Sequence, residues 1–189
     1  MSFAMRDVAS YLPGFRQRYP QVTVELVLND RPVDLIEEGW DLALRIRQMP
    51  SSALRSRKLA AIRMVVCGAP AYFEQAGTPR TVDELSQHQC LGYTLSDVNS
   101  STRWSFGQKG EKSVPVSGPL CANNGDVLRE AAVAGAGIVY QPVFVVSHEL
   151  QSGSLRALTL DYAPLVGPNL HAVYAPGIST PLKVRAMIE

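Results

Sequence analysis

The stretch from residue 29 to residue 46, NDRPVDLIEEGWDLALRI, constrains the fold more than any other part of this sequence. Asp30 can cap a helix, and Pro32 suits a first helical turn, because its missing N–H would have no partner there. Gly39 suits the left-handed stop of a short helix. After the glycine, side chains alternate, with Leu42, Leu44 and Ile46 on one side. The pattern predicts a short helix followed by a strand.

The segments before this stretch predict another helix and another strand. Apolar residues recur at helical spacing over residues 4–18, where Pro13 should bend or break the helix. Tyr19, which precedes a proline, should end it. Residues 22–28, VTVELVL, alternate as a strand does. We therefore expect the order helix, strand, helix, strand in the first 46 residues.

This combination closely resembles the ligand-sensing domain of LysR-type transcriptional regulators. The likeness rests on a polar turn, a Val-Asp-Leu helix, a glycine stop and an Asp-Leu-Ala-Leu-Arg-Ile strand, in that order, within residues 29–46. Side chains alternate from Trp104 into the turn GQKG and out again through Val114 and Val116, which predicts a hairpin. This W-x-F segment resembles the same family, and the likeness covers essentially the whole chain. Members of the family open this domain with one further strand, ahead of the helix that here begins near Ser2, and the sequence from Met1 does not contain it.

The resemblance implies an α/β protein with the two-lobed type 2 periplasmic-binding-protein-like fold. Each lobe would be a mixed sheet flanked by helices, and two crossover segments would join the lobes. Lobe I would comprise residues 1–68 and 177–189, and lobe II residues 69–176. The apolar run from Met64 predicts a buried parallel strand, after which the chain should cross between lobes.

The composition excludes several classes of protein. The chain has 189 residues, with 18 Lys and Arg against 17 Asp and Glu, which gives a formal net charge of +1. It therefore lacks the excess of basic residues that a domain needs to bind nucleic acid by itself. Three cysteines without a C-x-x-C pair, and no signal peptide at the start, favour a reducing cytoplasm. We expect a cytoplasmic protein with no membrane span, whose DNA contacts lie in an N-terminal helix–turn–helix absent from this chain.

Residues 121–142, CANNGDVLREAAVAGAGIVYQP, form the second informative stretch. Asn123 or Asn124 should cap a helix that ends at Gly135, and a buried strand should follow and stop at Pro142. A helix that starts at a cleft offers free N–H groups to an anion.

Several side chains have both an ordinary and a functional explanation. The three histidines lack metal-ligand spacing and are expected to be ordinary polar residues. Gly135 and Gly137 follow a helix instead of opening one, which favours a helix stop over a phosphate loop. Arg45 is either a solvated charge at a strand edge or a ligand contact, whose planar guanidinium group would donate two hydrogen bonds to a carboxylate.

The function that the resemblance implies is effector sensing for transcription. A small, anionic metabolite would bind between the lobes without a cofactor or metal, and the domain would form a homodimer or tetramer through antiparallel contacts of lobe I with lobe II of the mate. Residues 4–18 and 126–135 are the expected contact surfaces. The candidate effector-binding residues are Ser2, Phe3, Arg45, Cys67, Gly68, Ala69, Asn123, Asn124, Gly125, Gln141 and Pro142.

Two other classes of function compete with this hypothesis. A transport-type periplasmic solute-binding protein would share the fold, but the sequence shows no export signal. An enzyme would need a catalytic constellation, and neither a nucleophile elbow nor a Ser, His and acid set is recognisable. We therefore expect a protein that is not an enzyme.

Overall fold

The computed structural model describes residues 1–30, 34–46, 54–96, 99–176 and 180–189. The helices and strands are α1 (Ala9–Arg18), β1 (Ala43–Ile46), β2 (Arg55–Ala61), β3 (Met64–Gly68), α2 (Pro70–Ala76), β4 (Cys90–Tyr93), β5 (Arg103–Phe106), β6 (Lys112–Pro115), β7 (Cys121–Ala122), α3 (Gly125–Val133), β8 (Ile138–Pro142), α4 (Val143–Ser152), β9 (Arg156–Ala157), β10 (Asn169–Tyr174) and α5 (Leu182–Ile188). A π-helical turn, Ala4–Val8, precedes α1, and a 3-10 helix spans Asp83–Gln87.

The chain divides into two compact units. Unit 1 contains Met1, Phe3–Ile62 and Pro168–Glu189, and unit 2 contains Ser2 and Arg63–Gly167. The boundaries therefore lie at residues 62 and 167, earlier than the predicted positions at 68 and 176. The first boundary differs because all of β3 pairs inside unit 2, with β8 and β9.

Unit 1 contains a three-stranded antiparallel sheet in the order β1-β10-β2. The predicted strand ending at Ile46 is confirmed as β1, and Gly39 has the positive φ of 71° that its predicted role as a stop requires. The predicted helix before it is a series of hydrogen-bonded turns, and Asp34 caps them by accepting from the N–H groups of Ile36 and Glu37. Asp30 instead pairs with the amino terminus. Pro32, the predicted first helical residue, lies outside the described residues.

Two further predictions for unit 1 concern Pro13 and residues 22–28, and the second is wrong. The helix α1 runs through Pro13 without a break, and a π-helical turn with irregular hydrogen bonding lies N-terminal to it. Residues 22–28 form no strand, because no described segment pairs with them, and a strand needs a partner for its N–H and C=O groups.

Unit 2 is built on a five-stranded mixed sheet in the order β7-β4-β8-β3-β9. β7, β4 and β8 run parallel to one another, whereas β3 runs antiparallel to both β8 and β9. The predicted parallel direction of the strand from Met64 is therefore wrong. The predicted hairpin is confirmed: β5 and β6 pair antiparallel with Trp104 opposite Val114.

The core of unit 2 joins this hairpin to the sheet through aromatic side chains. Trp104 is 1% exposed and meets Tyr140 edge-to-face, with ring centroids 5.6 Å apart. Phe106 is fully buried and stacks on the same tyrosine at 5.2 Å. The Tyr140 hydroxyl donates to the carbonyl oxygen of Ser105 and accepts from the N–H of Leu165. Burial raises the pKa of Tyr140 to about 12, so this hydroxyl stays protonated.

Among the described residues, no helix is long and apolar enough to span a membrane.

Candidate functional site

The parallel part of the unit 2 sheet brings three strand ends to one edge. β7 ends at Ala122, β4 ends at Tyr93 and β8 ends at Pro142. Because these strands run parallel, their carboxyl ends lie at the same edge. Ligands of open α/β sheets bind outside such carboxyl ends. We refer to this region as the carboxyl edge.

Helix α3 begins at the carboxyl edge with an asparagine cap. The Oδ1 atom of Asn124 accepts from the N–H of Asp126 at 2.9 Å and from the N–H of Val127 at 3.2 Å. The predicted cap is therefore confirmed as Asn124. Asn123, the other candidate, is exposed directly before it. The cap uses two of the N–H groups that a helix start leaves without intrahelical partners.

A carboxylate already compensates the positive end of α3. Asp126, in the first turn, accepts from Arg129 at 2.9 Å, and Arg129 in turn lies 3.3 Å from Glu149 on α4. An acidic side chain in the first turn is favourable for the helix dipole. The start of α3 is thus held in place and largely neutralised by its own side chains.

Gln141 supplies a polar group to this edge. The residue is 3% exposed, and its amide atoms are not among the buried polar atoms that lack a hydrogen-bond partner in the described part of the chain. Its Oε1 atom lies 3.0 Å from the position that a Cβ would take at Gly125. A side chain at position 125 would therefore crowd the amide. Because an amide can both donate and accept hydrogen bonds, Gln141 adds a polar group to the carboxyl edge beside the start of α3.

Sequence reasoning missed one residue at this edge. Thr94 follows β4 directly, is exposed, and donates its N–H to the carbonyl oxygen of Ala122 at 3.0 Å. This bond places Thr94 beside the asparagines that begin α3. Its position directly after the apolar segment that forms β4 is the only signal in the sequence that points to it.

Cys67, Gly68 and Ala69 do not lie at the carboxyl edge. Gly68 pairs with Ile138, at the start of β8, because β3 is antiparallel to β8. Cys67 is completely buried in the core, and burial, reinforced by the negative charge of Glu149, raises the pKa of its thiol to about 12. The structure thus separates these three predicted site residues from Asn123, Asn124, Gly125, Gln141 and Pro142.

The remaining predicted site residues lie in other places. Ser2 is grouped with unit 2, and its hydroxyl donates to Asp126 at 2.5 Å. Phe3 belongs to unit 1, where it precedes the π-helical turn. Arg45 is a half-buried residue of β1 in unit 1, directly opposite His171 of β10.

The described residues contain no group of three or more His, Cys, Asp or Glu side chains placed to hold a metal ion.

Comparison with known proteins shows the family. The model of the LysR substrate binding domain matches residues 1–189. The chain is 35% identical over 179 residues to the probable HTH-type transcriptional regulator LtrA of Klebsiella pneumoniae, covering 93% of this chain and 57% of that protein. It is 30% identical over 189 residues to the HTH-type transcriptional regulator CrgA of Neisseria meningitidis, covering 100% of this chain and 62% of that protein. The solved CrgA regulatory domain has a TM-score of 0.86, with 100% of this chain and 91% of that chain covered.

The fold is therefore the two-lobed α/β fold of LysR regulatory domains, as the sequence predicted. The chain belongs to the LysR substrate-binding domain family. Its relatives are transcriptional regulators, which does not favour the transport alternative. The chain spans 57% and 62% of the length of the two curated relatives named above.

Proposed function

We propose that this chain is the effector-sensing part of a LysR-type transcriptional regulator and that the carboxyl edge of unit 2 contributes to its effector site. The observation that carries this proposal is the meeting, at one edge, of three parallel strand ends, the capped start of α3 and the side-chain amide of the largely buried Gln141. An amide in that position gains a hydrogen bond when a ligand supplies the matching group.

The chemistry of the carboxyl edge defines the ligand group that fits it. The NH2 groups of Gln141 and Asn123 are donors, and the helix end beside them is already compensated by Asp126. A hydroxyl or carboxylate oxygen suits these donors. A small anionic metabolite that carries such oxygens is therefore the effector class we propose.

The sensing role operates through the whole regulator. Binding would shift the population between conformations of the protein and so change how a DNA-binding segment outside these 189 residues engages its site. The protein would act in the cytoplasm, as a regulator and not as a catalyst. This part of the proposal is supported by the transcriptional regulators among the relatives.

A thermal-shift panel of hydroxy acids, dicarboxylates, aromatic acids, amino acids and sugars tests the proposal. A compound at about 100 times its dissociation constant should stabilise the protein by ~2.7 kcal/mol. For a chain of this size that corresponds to roughly 5–10 °C. In the Gln141→Leu variant the rise in Tm should fall to half or less, because the amide contact is lost.

The matched control is Gln151→Leu, the same substitution at an exposed position on α4. This variant should respond to the compound as the wild type does. An equal response in Gln141→Leu and in the wild type would remove the carboxyl edge from the effector site.

We also propose that the domain dimerises through the surfaces at residues 4–18 and 126–135, in the antiparallel manner expected from the sequence. The helix α1 buries none of its residues, and Tyr11 on it is 78% exposed. Val127 on α3 is 50% exposed. Apolar side chains left on two helix surfaces suit a protein partner.

Sedimentation velocity at micromolar concentration measures this association. The wild type should sediment as a dimer or tetramer, and Tyr11→Lys or Val127→Lys should shift it to monomer, because each places a charge in the contact. The control Val166→Lys, at a 65% exposed position outside both surfaces, should leave the association unchanged. A monomeric wild type would contradict the dimer proposal.

A further inference from the structure

Strand β2 is an edge strand of the unit 1 sheet. In the order β1-β10-β2 it pairs with β10 on one side, and no other described strand pairs with its second side. The pairs from Arg55 with Tyr174 to Lys58 with His171 follow in regular register, and the register shifts after Lys58. An edge strand presents a row of N–H and C=O groups to an incoming strand. We call residues 55–58, the regular part of this strand, the β2 edge.

Both faces of β2 are open to solvent. All seven residues of Arg55–Ala61 are exposed, whereas Ala172 and Val173 of the neighbouring β10 are fully buried. The buried part of the sheet therefore ends at β10, and β2 projects from it. A long exposed edge of this kind is a place where an extended segment of another chain can add a further strand.

The β2 edge is basic. Arg55, Arg57 and Lys58 are three of its four residues, and neither β2 nor β10 beside it contains an aspartate or glutamate. Positive side chains on an edge strand hinder pairing with a strand of like charge. Opposite charges at directly opposite positions of two strands are favourable instead. The charge of the β2 edge thus selects an acidic strand.

The strands of this chain cannot supply that acidic partner. None of the ten strands in the described part of the chain contains an aspartate or glutamate. A second copy of β2 would bring three positive charges against three. The complementary strand therefore comes from a different protein.

We propose that the β2 edge binds an extended acidic segment of a partner protein by strand addition. The backbone groups of residues 55–58 hold the segment. Arg55 and Arg57, two positions apart, project from one face and meet acidic side chains there, while Lys58 projects from the other face. This surface uses no residue of the carboxyl edge or of the two proposed dimer surfaces, so it stands apart from the proposed function.

The probe is a synthetic peptide of about eight residues in which glutamate alternates with threonine, long enough for an ordinary strand. It is titrated into the purified, isotope-labelled protein at constant ionic strength, and NMR follows the backbone amides. Saturable shifts centred on residues 55–58 are expected. The same peptide with N-methyl groups throughout its backbone keeps its charge but cannot donate to the strand, so it should bind at least about tenfold more weakly.

Two variants test the charge selection. Arg57→Gln should weaken peptide binding about threefold, and the double variant Arg55→Gln, Arg57→Gln about tenfold, because each loses cross-strand charge pairs. The matched control is Arg80→Gln, which removes the same charge from an exposed position in unit 2. Its binding should stay within about twofold of the wild type.

Four results would overturn the proposal. Equal binding of the methylated and unmodified peptides would leave only general charge attraction, and so would equal weakening in Arg80→Gln and Arg57→Gln. The absence of saturable shifts at residues 55–58 would remove the site. A short single-stranded oligonucleotide is titrated in parallel, and shifts of residues 55–58 at a lower concentration of oligonucleotide than of peptide would assign the β2 edge to nucleic acid.

Discussion

Replacement of Trp104 by alanine is expected to lower the free energy of unfolding by about 3–5 kcal/mol. The side chain is 1% exposed and holds the β5–β6 hairpin against Tyr140 of the main sheet. Its removal leaves a cavity in the hydrophobic core of unit 2 and also takes away an aromatic contact. Urea unfolding followed by circular dichroism measures the change through the midpoint and the slope.

An aromatic residue at the surface of the same unit provides the control. Tyr162 is 42% exposed, so Tyr162→Ala should change the free energy of unfolding by less than about 1 kcal/mol. A loss below 1 kcal/mol in Trp104→Ala would mean that the hairpin does not pack on the sheet as described.

The second large effect is expected where α3 and α4 meet. Arg129 is 11% exposed and lies 3.3 Å from Glu149, which is 13% exposed and has one buried oxygen without a hydrogen-bond partner. In Arg129→Met, Glu149 would remain as a largely buried charge without this cation, and Asp126 would lose its hydrogen bond from Arg129. Because the pair is not completely buried, we expect a loss of about 2–3 kcal/mol, at or below the low end for a buried pair.

The double variant Arg129→Met, Glu149→Leu distinguishes this cause from simple loss of packing. Removal of both charges should recover part of the lost stability, since Glu149 then needs no compensation, whereas the loss of the Arg129–Asp126 contact remains. Arg185→Met is the surface control, because Arg185 and Glu189 form an ion pair in which both side chains are 59% exposed, and such pairs contribute about 1 kcal/mol or less. Equal losses in Arg129→Met and in the double variant would contradict the charge explanation.

The sequence predicted well those local structures that depend only on residues close together in the chain. Asn124 caps α3, Gly39 takes its left-handed conformation, and the W-x-F segment forms a hairpin. Each depends on contacts within a few residues, so periodicity and turn chemistry suffice.

Features set by distant segments were harder to predict. Residues 22–28 have a clear alternating pattern, yet a strand also needs a neighbour, and none of the described segments pairs with them. The direction of β3 also depends on pairing with β8 and β9, about 70 and 90 residues further along the chain. Periodicity within a strand carries no information about which strand lies beside it or in which direction.

The same limitation explains why only some of the predicted site residues lie at the carboxyl edge. If β3 ran parallel to β8, Cys67, Gly68 and Ala69 would lie near the carboxyl edge; because it is antiparallel, they lie at the opposite edge. The position of Gln141 at a strand end is readable from the sequence, but its burial and its closeness to Gly125 are visible only in three dimensions.

The central claim is that this domain senses an effector through the carboxyl edge of unit 2. The most direct measurement is an NMR titration of the labelled protein with the compound that gives the largest thermal shift. The account predicts that the backbone signals of Asn123, Asn124 and Gly125 and the side-chain amide of Gln141 move first and saturate together. Saturable binding that leaves all four of these signals in place would contradict the account.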